Sequence, residues 1–194
     1  TTTNKVQVIA KYSNLDITSA TWVNNRRIAY TMGDRQLAAG QQRMGPGLIA
    51  IDIDGKNDRE IIERNSGEGS KFRVLSPRYR FAGAVGTPDS NDIFVTQNSG
   101  TRKNPSTSLM RVNAVDGVVT GITTPINTSG FMFDTKGDLR IAIRSIEKRT
   151  EILYKDPKNE TWRTLIEFDS VNEDGFSPEA IGPDGALYVT AHNG

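Results

Sequence analysis

Cysteine is absent from this 194-residue chain, which excludes disulfide bonds, thiolate metal ligands and a cysteine nucleophile. A single histidine, His192, excludes a metal site built from several histidines. No stretch approaches the ~20 apolar residues that a membrane helix needs. The chain also lacks an initial methionine and a charged-then-apolar leader, so we expect a processed or shortened protein. A fold without disulfides suits the cytoplasm and the periplasm equally, which leaves the compartment open.

An excess of charge of either sign is also lacking. The 24 basic and 23 acidic residues give a formal net charge of +1, and they are scattered along the chain. We therefore predict neither a nucleic-acid partner nor a membrane partner. The two short basic pairs, Arg26-Arg27 and Lys148-Arg149, are interpreted as solvated strand ends or turns.

Short runs with a period of two dominate what the chain does contain. Alternate positions are apolar in residues 27–32 and again in residues 139–144. This alternation is typical of half-buried strands. The continuous apolar run at 93–95 predicts a strand that is covered on both faces. Residues 57–65 have some helical character but are too short, so we predict no helix.

Glycine-containing turns separate these runs. Asp54-Gly55, Asp116-Gly117, Lys136-Gly137 and Asp184-Gly185 all lie between apolar stretches, where a glycine supplies the positive φ of a tight hairpin. The last two glycines are 48 residues apart. Two classes of turn alternate strictly along the chain, which predicts a repeat of four strands, in the period range of propeller blades.

The repeat predicts an all-β fold, a partial β-propeller of about three and a half four-stranded antiparallel blades. The blades cover residues 17–63, 72–122, 128–169 and 176–194, and residues 5–10 are a further strand candidate that would close a preceding blade. A β-sandwich has similar strand spacing and remains the structural alternative. The predicted strands are 20–23, 27–32, 47–53, 59–63, 81–85, 92–96, 108–113, 118–122, 130–133, 139–145, 150–155, 161–168, 176–181 and 186–191.

An open arc of blades would expose apolar faces and strand edges. We therefore expect either that the natural protein is longer or that copies of the chain complete each other.

Three segments bear a superficial likeness to functional motifs. The segment 66–70 lacks the Gly-x-Ser-x-Gly spacing of a hydrolase elbow, so we interpret it as a flexible connection. His192 follows a predicted strand and is interpreted as a surface residue. The segment 52–58 resembles a calcium loop, but Glu60 misses the twelfth loop position by one residue, so a turn is the better interpretation.

Two further groups of side chains are weighed as site candidates. Paired carboxylates meet only in three dimensions, so a solvated turn is the default for each available acid. Aromatic residues in strands are explained by packing better than by a ligand platform. No glycine-rich phosphate loop appears either, and we predict no catalytic, cofactor-binding or metal-binding residue. The acids are Asp134, Asp138, Glu173, Asp174 and Glu179, and the aromatic residues are Trp22, Trp162, Phe131 and Phe133.

Several strings resemble the N-terminal propeller of bacterial prolyl oligopeptidase family members, of the dipeptidyl aminopeptidase and acylaminoacyl-peptidase type. The similarity runs from about residue 17 to the end, and its strings are structural rather than catalytic. They are Ile17-Thr18-Ser19-Ala20-Thr21-Trp22-Val23-Asn24 with Arg27-Ile28-Ala29-Tyr30, Gly47-Leu48-Ile49-Ala50-Ile51-Asp52-Ile53-Asp54-Gly55, Thr150-Glu151-Ile152-Leu153-Tyr154-Lys155-Asp156-Pro157, Gly175-Phe176-Ser177-Pro178, and Tyr188-Val189-Thr190-Ala191-His192-Asn193-Gly194.

The resemblance implies a non-catalytic part of a serine peptidase. In that family a propeller caps a C-terminal α/β-hydrolase domain that carries the serine, aspartate and histidine, and the propeller restricts access so that short peptides reach the serine. The hydrolase domain is absent from these 194 positions, so no triad residue can be assigned here. The implied partners are this hydrolase domain and, through the parent enzyme, a peptide substrate.

Two other functions remain open. The chain is alternatively a stand-alone binding module for protein partners, completed by self-association. A propeller enzyme that acts on carbohydrate through paired carboxylates is a third possibility, and it requires acids that line one central pocket.

Overall fold

The chain folds into β-strands joined by turns. In the computed structural model, the described residues are 6–38, 41, 44–65, 71–101, 103 and 105–192, and they contain fourteen strands and no α-helix. The strands are β1 (Asp16–Asn24), β2 (Arg27–Gly33), β3 (Leu48–Asp52), β4 (Arg59–Ile62), β5 (Tyr79–Ala84), β6 (Asp92–Asn98), β7 (Thr107–Asn113), β8 (Val119–Ile122), β9 (Thr128–Phe133), β10 (Leu139–Ile146), β11 (Arg149–Lys155), β12 (Trp162–Asp169), β13 (Gly175–Ile181) and β14 (Leu187–His192).

The strands form four antiparallel sheets, and in each sheet strands that are neighbours in space are neighbours in the chain. The orders are β1-β2-β3-β4 (sheet 1), β5-β6-β7-β8 (sheet 2), β9-β10-β11-β12 (sheet 3) and β13-β14 (sheet 4). Every predicted strand from residue 20 onward is confirmed, with ends that shift by a few residues. The all-β fold class is therefore confirmed. The described part of the chain contains no helix that could cross a membrane.

The predicted strand at residues 5–10 is wrong over its described part. Val6 and Val8 are exposed, and the segment joins no ladder. Ile9 and Ala10 instead pack their side chains against buried residues of sheet 1. β-propensity reports how well a side chain fits a half-buried pleated surface, so without a partner strand it does not create a strand.

The turn glycines have the backbone conformation that the sequence predicts. Gly55, Gly117, Gly137 and Gly185 have φ of 80°, 72°, 79° and 83°, in the left-handed region that glycine tolerates without steric cost. The predicted positive-φ hairpins are confirmed at all four positions.

The 48-residue repeat also appears in the hydrogen bonds of the turns. In the β9–β10 turn, Asp134 N donates to Asp138 O and Gly137 N donates to Asp134 O, both at 2.9 Å. In the β13–β14 turn the residues 48 positions later do the same, because Gly182 N donates to Ala186 O and the Gly185 amide donates back to Gly182, again at 2.9 Å. The two hairpins therefore share one turn geometry.

The second strands of sheets 1 to 3 are buried on both faces. Consecutive strand residues point to opposite faces, yet Ile93, Phe94 and Val95 are all buried in β6, as the apolar run predicts. In β2 and β10 the sequence predicts half-buried strands, but Ala29 and Ala142 are buried on the faces expected to be solvated. Alanine leaves room for a neighbouring layer to approach closely, which alternation alone does not reveal.

The contacts divide the chain into two compact units. Unit 1 comprises Thr1–Val95 and Arg111–Thr120, and unit 2 comprises Thr96–Met110 and Gly121–Gly194.

In unit 1, one apolar cluster joins sheet 1 to the segment before it. Tyr30, Met32 and Ile51 form its buried centre, and Ile9 and other apolar residues of the preceding segment pack on it. The hydroxyl oxygens of Tyr12 and Tyr30 share a hydrogen bond of 2.6 Å. Burial raises the pKa of Tyr30, so this phenol stays neutral and serves as a packing residue with a satisfied polar end.

In unit 2, sheets 3 and 4 share a core. Ile141, Ile152, Phe168 and Ile181 are its buried centre, and Phe176 packs against it. These side chains come from strands β10 to β13, so burial of apolar surface holds the two-stranded sheet 4 against the four-stranded sheet 3.

Candidate functional site

The most extensive polar site of unit 1 is built around Arg27, the first residue of β2. Its side chain is only 2% exposed. Nη1 lies 2.7 Å from Asp52 Oδ1, and Nη2 donates to the carbonyl oxygens of Ala114, at 2.7 Å, and Asn57, at 2.9 Å. The prediction that this residue lies at a solvated strand end is wrong. Asp52 is the cross-strand partner of Arg27 in the β2–β3 ladder, so the sheet register supplies the counter-charge that burial requires.

Asp52 has no free carboxylate oxygen for a calcium ion. Asn57 Nδ2 donates to Asp52 Oδ2 at 2.8 Å while Arg27 occupies the other oxygen. The Asn57 hydrogen bond, followed by Arg27, holds the pKa of Asp52 below its usual value. The Gly55 amide donates to the Asp52 carbonyl at 2.8 Å, which confirms the turn interpretation of this segment. The described residues contain no cluster of acids and histidine that could hold a metal ion.

An ion pair recurs at the start of β6, with the signs of the charges exchanged. Asp92 is the first residue of β6, and its Oδ2 accepts a hydrogen bond of 2.6 Å from Arg111 Nε. Asn113 Nδ2 donates to the other carboxylate oxygen at 3.0 Å. Both ends of the acid are thus occupied, and this site is structural.

Sheet 3 has a third such cluster, around Arg140 near the start of β10. Arg140 lies 2.8 Å from Asp134 and 3.0 Å from Asp138, with Glu160 at 3.5 Å. Glu160 is also paired with Lys155. Burial acts to raise the pKa of Asp134, but hydrogen bonds from the Asp138 backbone and from Arg140 outweigh it and hold that pKa below its usual value. Arg140 is therefore a buried cation surrounded by acids.

The other predicted acids also serve structural contacts or lie on the surface. Glu173 Oε2 accepts a hydrogen bond of 2.6 Å from the Asp169 amide and lies 3.6 Å from Arg149. Asp174 and Glu179 are exposed, in the loop before β13 and within β13. Arg149 is exposed at the start of β11, which confirms that the pair Lys148-Arg149 lies at a solvated strand end or turn.

The two remaining candidates are His192 and the segment 66–70. His192 is the last residue of β14 and pairs with Gly175, which agrees with its predicted place at a strand end. The segment 66–70 lies outside the described residues.

The aromatic residues differ from one another in exposure. Phe131, Phe133 and Trp162 are half-buried in their strands, which agrees with a packing role. Trp22 is 58% exposed, so the packing interpretation is wrong for this residue. It lines an open cleft of about 440 Å³ between the β1–β2 turn and the segment Gly86–Pro88 that follows β5. Thr18, Ser19 and Thr21, the small polar residues that precede Trp22 in β1, were the available signal that this strand is poorly covered.

No family model, curated protein or solved structure matches the chain.

Proposed function

We propose that the four sheets are successive blades of a β-propeller, and that this propeller is the non-catalytic portion of a serine peptidase. In this role it gates the access of peptide substrates to a C-terminal hydrolase domain outside these residues.

The observation that carries the propeller proposal is burial on both faces of the central strands. In a two-sheet sandwich each sheet has one face against the core and one toward solvent. In a propeller, each blade is covered by a blade on either side. Ile93, Phe94 and Val95 in β6, and Ala29 with Tyr30 in β2, are consecutive residues that are all buried. The meander order of each sheet and the repeated turn hydrogen bonds support the same arrangement.

The gating role rests on the strings that resemble the prolyl oligopeptidase family and on the ion pairs described above. A glycosidase needs two carboxyl groups that face a shared substrate. Asp134 and Asp138 are instead both committed to Arg140. This arrangement favours a scaffold over the carbohydrate-enzyme alternative.

Two measurements test the proposal. Reading the coding sequence beyond Gly194 should reveal further four-strand repeats and a Gly-x-Ser-x-Gly elbow, and their absence would overturn the assignment to a peptidase. The purified chain should neither cleave a chromogenic dipeptide nor react with a fluorophosphonate serine probe. Turnover by the chain alone would contradict the non-catalytic role.

A second candidate, self-association of a stand-alone module, is favoured by one feature of sheet 4. The strand β14 contains no lysine, arginine, aspartate or glutamate, the residues that commonly protect a strand edge from pairing. Tyr188 and Val189, on opposite faces of β14, are both exposed. Native mass spectrometry should then give a dimer that Tyr188→Lys dissociates, whereas a monomer at all concentrations would exclude this candidate.

A further inference from the structure

Trp22 occupies a cleft that lies wholly within unit 1. The cleft is lined by Trp22, Asn25 and residues 86–88, among others, and measures about 440 Å³. That volume falls in the range of about 300–1,000 Å³ typical of small-molecule sites. Trp22 remains 58% exposed in this cleft, so its side chain is accessible to a ligand.

The four-strand repeat explains why a cleft lies at this place, but it does not explain which residues line the cleft. Unit 2 has a cleft of about 210 Å³ between the corresponding turns, β9–β10 and β13–β14. Charged residues line it, including Lys136, Arg140 and Asp184. The Trp22 cleft is about twice as large and carries a tryptophan instead, so its lining is a feature of this position rather than of the fold.

Every described residue that lines the Trp22 cleft is uncharged. They are Trp22, Val23, Asn24, Asn25, Gly86, Thr87 and Pro88. A ligand with a net charge would find no counter-charge among these lining residues. The lining therefore selects against nucleotides, phosphorylated ligands and strongly acidic or basic peptides.

The uncharged lining nevertheless offers hydrogen-bonding groups of both kinds. The Asn25 amide and the Thr87 hydroxyl each provide donors and acceptors. Gly86 has φ of 81°, and nothing lies within 4 Å of the position that a Cβ would take. A ligand can therefore approach the Gly86 backbone closely.

We propose that this cleft binds a neutral saccharide. The C–H groups on one face of a sugar ring carry partial positive charge and match the negative face of an indole ring. Its hydroxyl groups are both donors and acceptors, as are the amide and hydroxyl groups of the cleft. A proline-rich peptide is less well matched, because such peptides dock into grooves lined by several aromatic residues, and Trp22 is the only aromatic residue among the described residues of this lining.

Tryptophan fluorescence of the 194-residue chain tests the proposal. The chain has two tryptophans, Trp22 and Trp162, so Trp162→Phe assigns the signal to Trp22. The probes are maltohexaose, cellohexaose, xylohexaose and chitohexaose, titrated separately. We expect a saturable change in emission with at least one of them, and an affinity about tenfold weaker in Trp22→Ala when measured by calorimetry, since one aromatic stacking contact is lost.

Tyr188→Ala is the matched control, because Tyr188 is also 58% exposed but does not line the cleft. This variant should bind the saccharide as tightly as the parent chain. Trp22→Ala should keep the circular dichroism spectrum of the parent chain, because its side chain contributes little to the core.

Three results would overturn the proposal. They are no saturable response to any of the four saccharides, saccharide binding that survives Trp22→Ala, and a response only to a proline-rich peptide. None of these results bears on whether the chain belongs to a peptidase, so the two proposals fail independently.

Discussion

At the residue scale, the defining feature is charge near the starts of the second strands. Arg27, Asp92 and Arg140 begin or nearly begin β2, β6 and β10, and each is held by an oppositely charged partner. A buried charge without such a partner would cost several kcal/mol, on the order of the desolvation penalty of one ion. Each pair therefore forms only when the strands keep the observed register, and a shift in register would separate the paired charges.

Replacement of Arg27 by methionine should strongly destabilise the chain. Methionine fills similar volume but leaves Asp52 Oδ1 and the carbonyl oxygens of Ala114 and Asn57 without the donors that Arg27 supplies. We expect a loss of about 3–5 kcal/mol in the free energy of unfolding, measured by urea denaturation. Arg26→Ala, at the adjacent exposed position, should cost about 0.5 kcal/mol or less. Equal losses in the two variants would show that the buried network has no special role.

Stability should fall in acid because of Asp52 and Asp134. Both carboxyl groups have a lower pKa in the folded chain than in the unfolded chain. The unfolded state therefore binds more protons, so the stabilisation is present above the unfolded pKa and is lost as pH falls through the folded pKa, below about pH 4. Urea denaturation as a function of pH checks this, and Asp134→Asn should show a smaller loss of stability on acidification. An unchanged pH dependence in that variant would contradict the assignment.

At the element scale, hairpins with repeated hydrogen bonds define the sheets. The β7–β8 and β11–β12 turns form a second matching pair, because the Gly117 amide donates to Asn113 O at 2.8 Å and the Glu160 amide donates to Asp156 O at 2.9 Å. Glycine has φ of 72° in the first turn, while Glu160 takes φ of 60° in the second. Glycine thus adopts the positive φ of this turn at the lowest steric cost, but the hairpin imposes that backbone conformation on either residue.

Alanine substitutions at two turn glycines distinguish the cost of backbone strain from the cost of steric crowding. Alanine at Gly185 meets open space, so it should cost only the left-handed backbone penalty of about 1–2 kcal/mol. Alanine at Gly117 pays that penalty and also places Cβ 2.6 Å from the Arg73 carbonyl oxygen, so it should cost about 1–3 kcal/mol more. Thermal unfolding of Gly117→Ala and Gly185→Ala gives the comparison. Equal melting temperatures would rule out the crowding at Gly117.

At the scale of the whole molecule, burial differs between outer and central strands. Central strands such as β6 are covered on both faces, whereas most of β1, from Asp16 to Trp22, is exposed. An amide exchanges with solvent when its hydrogen bond opens, and opening is rarest where burial is deepest.

Hydrogen exchange should therefore rank the strands by this difference in burial. The amides of Ile93, Phe94 and Val95 should be among the slowest to exchange, and those of Ser19 and Thr21 much faster. Mass spectrometry with peptide digestion resolves these segments. Similar protection in β1 and β6 would mean that the sheets open as single units and that burial does not set local stability.

The sequence by itself determined the strands and the tight turns, because both depend on neighbours along the chain. Alternating apolar positions predicted the strands β2 and β10. Dipeptides that end in glycine, such as Asp54-Gly55, predicted the turns, and these glycines do have positive φ. The predicted strand that is wrong over residues 6–10 shows the limit of local reasoning, since a strand also needs a partner that the pattern does not name.

Only the tertiary structure decided which side chains are buried charges and which are open surface. The carbonyl of Ala114 that binds Arg27 lies 87 residues away in the chain, so no local pattern could separate Arg27 from its solvated neighbour Arg26. Trp22 lies in a predicted strand, yet it is 58% exposed and lines a cleft. Burial and exposure are set by contacts between distant segments, which the order of residues alone does not specify.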